Sequence, residues 1–254
     1  MNQPALVRRA FVQLSNTLLF VLLLALGTTG VHANGVKVTP VRLYLGAHER
    51  STAVTLNNGT AQTKRFQVEV QQWSQVDGND VLQESSQVIA NPPLFSLKPD
   101  QTQVIRIGFL KLPDQPSEQA YRIFVREVPD NGPVDPAAEP SLGVQVLIRY
   151  AIPLFVAPSA PIKRQLIWTA RRDDHHYIVT AQNNGNVHER RAQLKVYAGE
   201  SSRLLGSDDA LNDLLPGTAK TWTFPADTTS EKQLRIEAIS DRPAGPVIDR
   251  ILVH

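Results

Sequence analysis

Residues 142–156 read Leu-Gly-Val-Gln-Val-Leu-Ile-Arg-Tyr-Ala-Ile-Pro-Leu-Phe-Val, and the rhythm of this stretch decides the fold class. Successive side chains of a strand point to opposite faces. Leu142, Val144, Val146 and Ile148 therefore share one face, while Gln145, Leu147 and Arg149 share the other. Both faces are partly apolar. Either the Leu142–Ile148 row fills the core of its own domain, or it stays exposed until a partner covers it. The period-two pattern continues towards the N-terminus through Tyr121 to Val128, Val104 to Ile107, Phe66 to Gln71, Ala53 to Leu56 and Val36 to Leu45. The turn signals Asn57-Asn58-Gly59 and Asp77-Gly78-Asn79-Asp80 separate these runs. Strands punctuated this often read as a sandwich.

Ala157-Pro158-Ser159-Ala160-Pro161 interrupts the pattern with two prolines and is the candidate hinge. Beyond it the strand rhythm restarts at Gln165 to Ala170, Tyr177 to Gln182, Ala192 to Tyr197, Ala219 to Phe224, Gln233 to Ile239 and Val247 to Val253. Only Asp208 to Leu215 has helical spacing, enough for a turn or two. The expectation is an all-β chain of two β-sandwich domains, 34–157 and 158–254, joined by a short Pro-containing hinge. Each is large enough to hold its own core.

Composition narrows the function classes. Among 254 residues there is no Cys, which removes disulfide scaffolds, thiolate zinc sites and thiol nucleophiles. Arg8 and Arg9 are the only charged residues before residue 34, so the remaining chain carries 26 − 2 = 24 basic against 24 acidic residues. A balance of that kind provides no polyanion-binding field and argues against nucleic acid as a partner. The first 33 residues have the anatomy of a secretory signal: a basic pair, the apolar run Leu18 to Leu26, and Val31-His32-Ala33 at the cleavage site. Nine apolar residues are too few to span a bilayer. A cleaved signal peptide over 1–33, no stable membrane anchor and an exported mature chain are therefore expected.

Several motifs, in order, resemble the periplasmic chaperones of the chaperone–usher pilus pathway. Gly35-Val36-Lys37-Val38-Thr39-Pro40-Val41-Arg42 is similar to the family's opening strand with its cleft arginine. Asn91-Pro92-Pro93, Leu97-Lys98-Pro99 and Gln103-Val104-Ile105-Arg106 follow its fifth strand, and Tyr121 to Pro129 its sixth, which closes in Arg-Glu-Val-Pro. Tyr150-Ala151-Ile152-Pro153-Leu154-Phe155 resembles the end of its long seventh strand. Leu215-Pro216-Gly217 before Trp222, and Ile239-Ser240-Asp241, echo its second domain. The resemblance implies two immunoglobulin-like sandwiches and a periplasmic location. It implies a pilus subunit bound by a donated strand and delivered to an outer-membrane usher; an unloaded protein with such an exposed edge would dimerise or cover the strand. Strand donation by these chaperones is itself a named instance of β-augmentation. By resemblance, Arg42 would pair with the subunit's C-terminal carboxylate, and Leu142, Val144, Val146 and Ile148 would fill its open groove. Four buried aliphatic side chains contribute on the order of 6–12 kcal/mol before ordering costs.

Two departures stand out. The family's second cleft cation would fall at Pro153, with Arg149 a candidate substitute, and Ile-Pro-Leu-Phe here resembles the divergent branch that builds archaic, spore-coat-protein-like pili. Ala157 stands where relatives place a hinge arginine between acids such as Glu118 and Asp241. No catalytic motif, phosphate loop or dinucleotide fingerprint is present, so no enzyme activity and no cofactor are expected. His175-His176 beside Asp173-Asp174 reads as a solvated turn, not a metal site, and Arg171-Arg172 and Arg190-Arg191 read as solvated loop charge. The competing class is a secreted adhesion or carbohydrate-binding module, which would expose an aromatic platform and bury the seventh strand.

Overall fold

The computed structural model describes residues 35–129, 146–173, 175–199, 201, 203–210, 212–226, 232–240 and 246–254. The expected signal peptide, residues 130–145 with Leu142 and Val144 among them, and Asp241 lie outside them. The described residues form strands and no helix. The first half contributes β1 (Val36–Thr39), β2 (Leu43–Leu45), β3 (Ser51–Asn58), β4 (Lys64–Val76) and β5 (Asn79–Glu84). It continues with β6 (Val88–Asn91), β7 (Leu94–Leu97), β8 (Thr102–Phe109), β9 (Gln119–Val128) and β10 (Arg149–Val156). The second half contributes β11 (Leu166–Arg172), β12 (His176–Asn183), β13 (Glu189–Ala198) and β14 (Leu204–Asp208). It ends with β15 (Asn212–Leu214), β16 (Ala219–Pro225), β17 (Gln233–Ser240) and β18 (Pro246–Leu252).

In the first sandwich, the sheet β1-β3-β8-β6 faces the sheet β2-β10-β9-β4-β5, with β7 added to β4. Alternation explains the core between them. Val54 and Leu56, Ile105 and Ile107, Phe66 and Val68, Tyr121, Ile123 and Val125, and Ile152, Leu154 and Val156 all point inward. The second sandwich sets β11-β12-β16 against β14-β13-β17-β18, with β15 added to β13. Its core gathers Trp168, Tyr177, Val179, Leu194, Val196, Leu234 and Ile236. The chain is thus all-β, with two immunoglobulin-like sandwiches. Each holds one buried asparagine that ties a strand end to its neighbours. Asn58 donates to the carbonyls of Gln62 and Leu97, and Asn183 to those of Val187 and Leu214.

Three expectations are corrected. Val36 to Leu45 is not one strand: β1 pairs with β3, whereas β2 crosses to the other sheet and pairs parallel with β10. Pro40 lies between them, and a residue without an N–H and with a fixed φ interrupts a ladder there. Asp208 to Leu215 is not helical. It closes β14 and forms β15, because the Asp208 side chain accepts the Ala210 N–H and the following backbone pairs with β13. Arg190 and Arg191 lie in β13, and Arg171 and Arg172 in β11, not in solvated loops. Arg191 is 8% exposed, with its guanidinium 4.5 Å over the Trp222 ring and 3.3 Å from Asp208.

Candidate functional site

Ile152, Leu154 and Val156 of β10 point into the first core, and Tyr150 packs against it. The expected strand from Leu142 begins only at Arg149: Val146, Leu147 and Ile148 precede β10 outside any strand, although the Ile148 carbonyl still accepts the Glu127 N–H at 2.8 Å, and Val146 and Ile148 are 75% and 41% exposed. The apolar row therefore passes out of the cover of its own sandwich beyond Tyr150. Leu147 is exposed as well. Strand β9 pairs with β10 along all of Arg149–Val156, but on the other edge β2 pairs only with Leu154–Val156. Among the described residues, Arg149 to Pro153 keep an edge without a ladder, and such an edge is a template for an added strand.

Pro153 lines a cleft of about 1020 Å³ whose walls come from both sandwiches. Arg42 enters it from the segment before β2. Its Nη2 lies 3.5 Å from both carboxylate oxygens of Asp213 in β15, and its Nη1 donates to the Tyr44 hydroxyl at 3.4 Å. Its guanidinium carbon sits 5.7 Å from the centre of the Phe155 ring. Burial pushes the Asp213 carboxyl up, against the opposing pull of Arg42, His188 and Arg122. Burial likewise lowers the Arg122 guanidinium, opposed by Asp80 and Asp213.

Arg122 is a cleft cation that sequence reasoning missed, as it did Arg164, Arg190, Arg191 and Lys220 on the same walls. In the β9–β10 ladder its direct partner is Pro153, the position at which the resemblance leads one to look for a second cation. It lies 3.7 Å over the Trp73 ring and 3.3 Å from Asp80. Arg149, the expected substitute, shares the outer face of β10 with Pro153 but stands four residues away, roughly 13 Å along the strand. There it covers the Phe124 ring at 3.7 Å. Parity alone could not have found Arg122, because its place follows from the register between two strands distant in sequence.

The joint between the sandwiches does not use an arginine at Ala157. Glu118 Oε1 accepts the His188 backbone N–H at 2.9 Å and lies 2.7 Å from His188 Nδ1. The His188 ring in turn stacks on Phe155 with centroids 3.7 Å apart. Trp73, Ala120, Phe155 and Leu215 form a small buried cluster across the joint. Gln75 completes it, donating to the Asp213 carbonyl at 2.8 Å and accepting from Leu215 N and Thr218 Oγ1 at 3.0 Å.

Two other features resolve simply. Asp173 Oδ1 accepts the backbone N–H groups of His175 and His176, which closes a turn. Among the described residues no three His, Cys, Asp or Glu side chains gather as metal ligands. Trp73 and Trp168 are buried in core clusters and Trp168 packs 5.9 Å from the half-buried Trp222, while all three rings also line the cleft.

Residues 35–161 match the family described as pili and flagellar-assembly chaperone, PapD N-terminal domain. No curated protein matches the chain. Among solved structures, the chain is similar to one from the CsuC–CsuE chaperone–tip adhesion subunit pre-assembly complex of archaic Csu pili of Acinetobacter baumannii. The TM-score is 0.65 at 22% identity, over 87% of this chain and 99% of that one. A chain of the Salmonella enterica SafA pilin–SafB chaperone complex matches with a TM-score of 0.57 at 16% identity, over 87% and 98%. The Escherichia coli chaperone DraB matches with a TM-score of 0.56 at 19% identity, over 87% and 96%.

Proposed function

The chain belongs to the family of pili and flagellar-assembly chaperones, and we propose on that footing that it binds pilus subunits in the periplasm by lending them β10, then delivers them to an outer-membrane usher. The observation that carries this reading is the open edge of β10, continuous with the exposed Val146 and Ile148 and ending beside two cleft arginines. A subunit lacking one strand gains backbone hydrogen bonds along Arg149 to Pro153 and fills its groove with the apolar row that includes Val146 and Ile148. Its C-terminal carboxylate is held by Arg42 and Arg122, because charge-assisted bonds from guanidinium groups fix both register and orientation. Arg122 supplies from β9 the charge that Pro153 lacks. Residues 1–33 act as the export signal, and the mature domains span 34–157 and 158–254. When empty, the exposed strand edge favours self-association.

The test is co-expression with pilus subunits and recovery of the complex for wild type, Arg42→Ala, Arg122→Ala and Arg149→Ala. Losing one charge-assisted contact costs about 1.5–3 kcal/mol, or roughly 10- to 150-fold in affinity. Loss with Arg42→Ala and Arg122→Ala, and near-normal recovery with Arg149→Ala, is expected. Normal recovery with Arg122→Ala refutes the two-arginine anchor.

A further inference from the structure

We propose that Asp213 is a built-in stand-in for the subunit's carboxylate: it occupies Arg42 while the cleft is empty and gives way when a subunit's C-terminus arrives. This rests on the reading above, in which Arg42 and Arg122 receive that terminus. Its placement is the first argument. Strand β15 is a three-residue strand off the main path of its sheet. Its backbone is fixed on both sides, by the ladder to β13 and by the Gln75 amide on the Asp213 carbonyl. The side chain is thereby presented across the joint to Arg42, a residue of the other sandwich.

The second argument is the quality of the contact. Asp213 approaches one nitrogen of Arg42 with both oxygens at 3.5 Å. A gripping carboxylate–guanidinium pair makes two parallel bonds of about 2.7–2.9 Å. Asp213 compensates the charge without forming the strong geometry, so an incoming carboxylate that forms it wins the site. Asp208, on the neighbouring β14, shows what a committed carboxylate looks like in the same sandwich. It takes the Trp222 Nε1–H at 2.7 Å and the Ala210 backbone N–H at 3.0 Å.

Burial supplies the reason for a stand-in. The side chains of Arg42 and Asp213 are 14% and 12% exposed. A guanidinium this enclosed is costly without a counter-charge nearby. An empty cleft therefore needs a carboxylate of its own, and a filled one receives the subunit's.

Purified protein titrated with a blocked hexapeptide of alternating valine and threonine, as the free acid and as the C-terminal amide, tests this by calorimetry and by the arginine side-chain NMR signals. Asp213→Asn keeps shape and removes charge, and Asp213→Glu restores a carboxylate. The free acid is expected to bind Asp213→Asn about 5- to 30-fold tighter than wild type, the amide equally to both, and Asp213→Glu to return towards wild type. Thermal melts confirm that both variants are folded. Unchanged or weaker binding of the free acid to Asp213→Asn, with Arg42→Ala and Arg122→Ala still weakening it, overturns the stand-in alone. If neither arginine variant weakens the free acid, the anchor reading fails and the stand-in falls with it.

Discussion

Replacing Val146 by Asp separates the exposed start of the apolar row from its buried continuation in β10. Val146 and Ile152 have the same parity, but Val146 is 75% exposed and Ile152 only 3%. In the free protein Val146→Asp touches no core, so its effect on stability should stay within about 0.5 kcal/mol. In a complex, covering the exposed three quarters of a valine contributes about 1–2 kcal/mol, and a buried unpaired carboxylate costs several kcal/mol more. Subunit affinity should therefore fall by more than about 100-fold. Val146→Ala, which only removes the apolar gain, should lose about 5-fold. Ile152→Ala should do the reverse, lowering the folding stability of the free protein by about 2–5 kcal/mol through cavity formation. Calorimetric binding to a purified subunit and urea unfolding of the free protein measure both quantities on the same samples. Wild-type affinity in Val146→Asp refutes the donor role of the row, and unfolding of the free variant refutes its being outside the core.

Three further outcomes follow from the second sandwich. Burial alone raises the Asp208 carboxyl, but hydrogen bonds from Ala210 N, Trp222 Nε1 and Arg191 together bring it below 3.8. Its stabilisation is complete above that unfolded value and is lost as pH falls through the folded one, so the stability gap between wild type and Asp208→Asn should be open at pH 7 and close below about pH 4 in urea titrations. Asp213, pushed up by burial, has the opposite sign: the folded protein takes up its proton first, so wild type gains stability relative to Asp213→Asn as pH falls from neutrality towards 4. A Cβ at Gly206 would lie 2.5 Å from Phe224 Cδ1, so Gly206→Ala should cost about 1–3 kcal/mol by overpacking, read as a lowered urea midpoint.

The strands were legible wherever local alternation carries the information, as in Phe66 to Gln71 and Tyr121 to Val128. The polar edge strand β5, whose side chains are mostly exposed, has no apolar alternation to read. Helical spacing over Asp208 to Leu215 misled because side-chain bonding at Asp208 and pairing with β13 override local spacing. The cleft was half legible. Arg42 came with its motif, but Arg122 depends on a β9–β10 register that joins residues 31 positions apart, 153 − 122. Arg191 was misread for the same reason: the Trp222 ring and the Asp208 carboxylate that enclose it come from other strands.

The parallel pairing of β2 with Leu154–Val156 gives β10 an end-stop. Any chain laid alongside β10 meets β2 after Pro153 and cannot continue past it. On the proposed role, a visiting strand would be measured from that fixed end: its last residue would halt beside Arg122, and its length would decide only how far back towards Val146 it reaches. The three residues of β2 would then work as the zero mark of a ruler, so that guests of different length share one terminus and differ in the other.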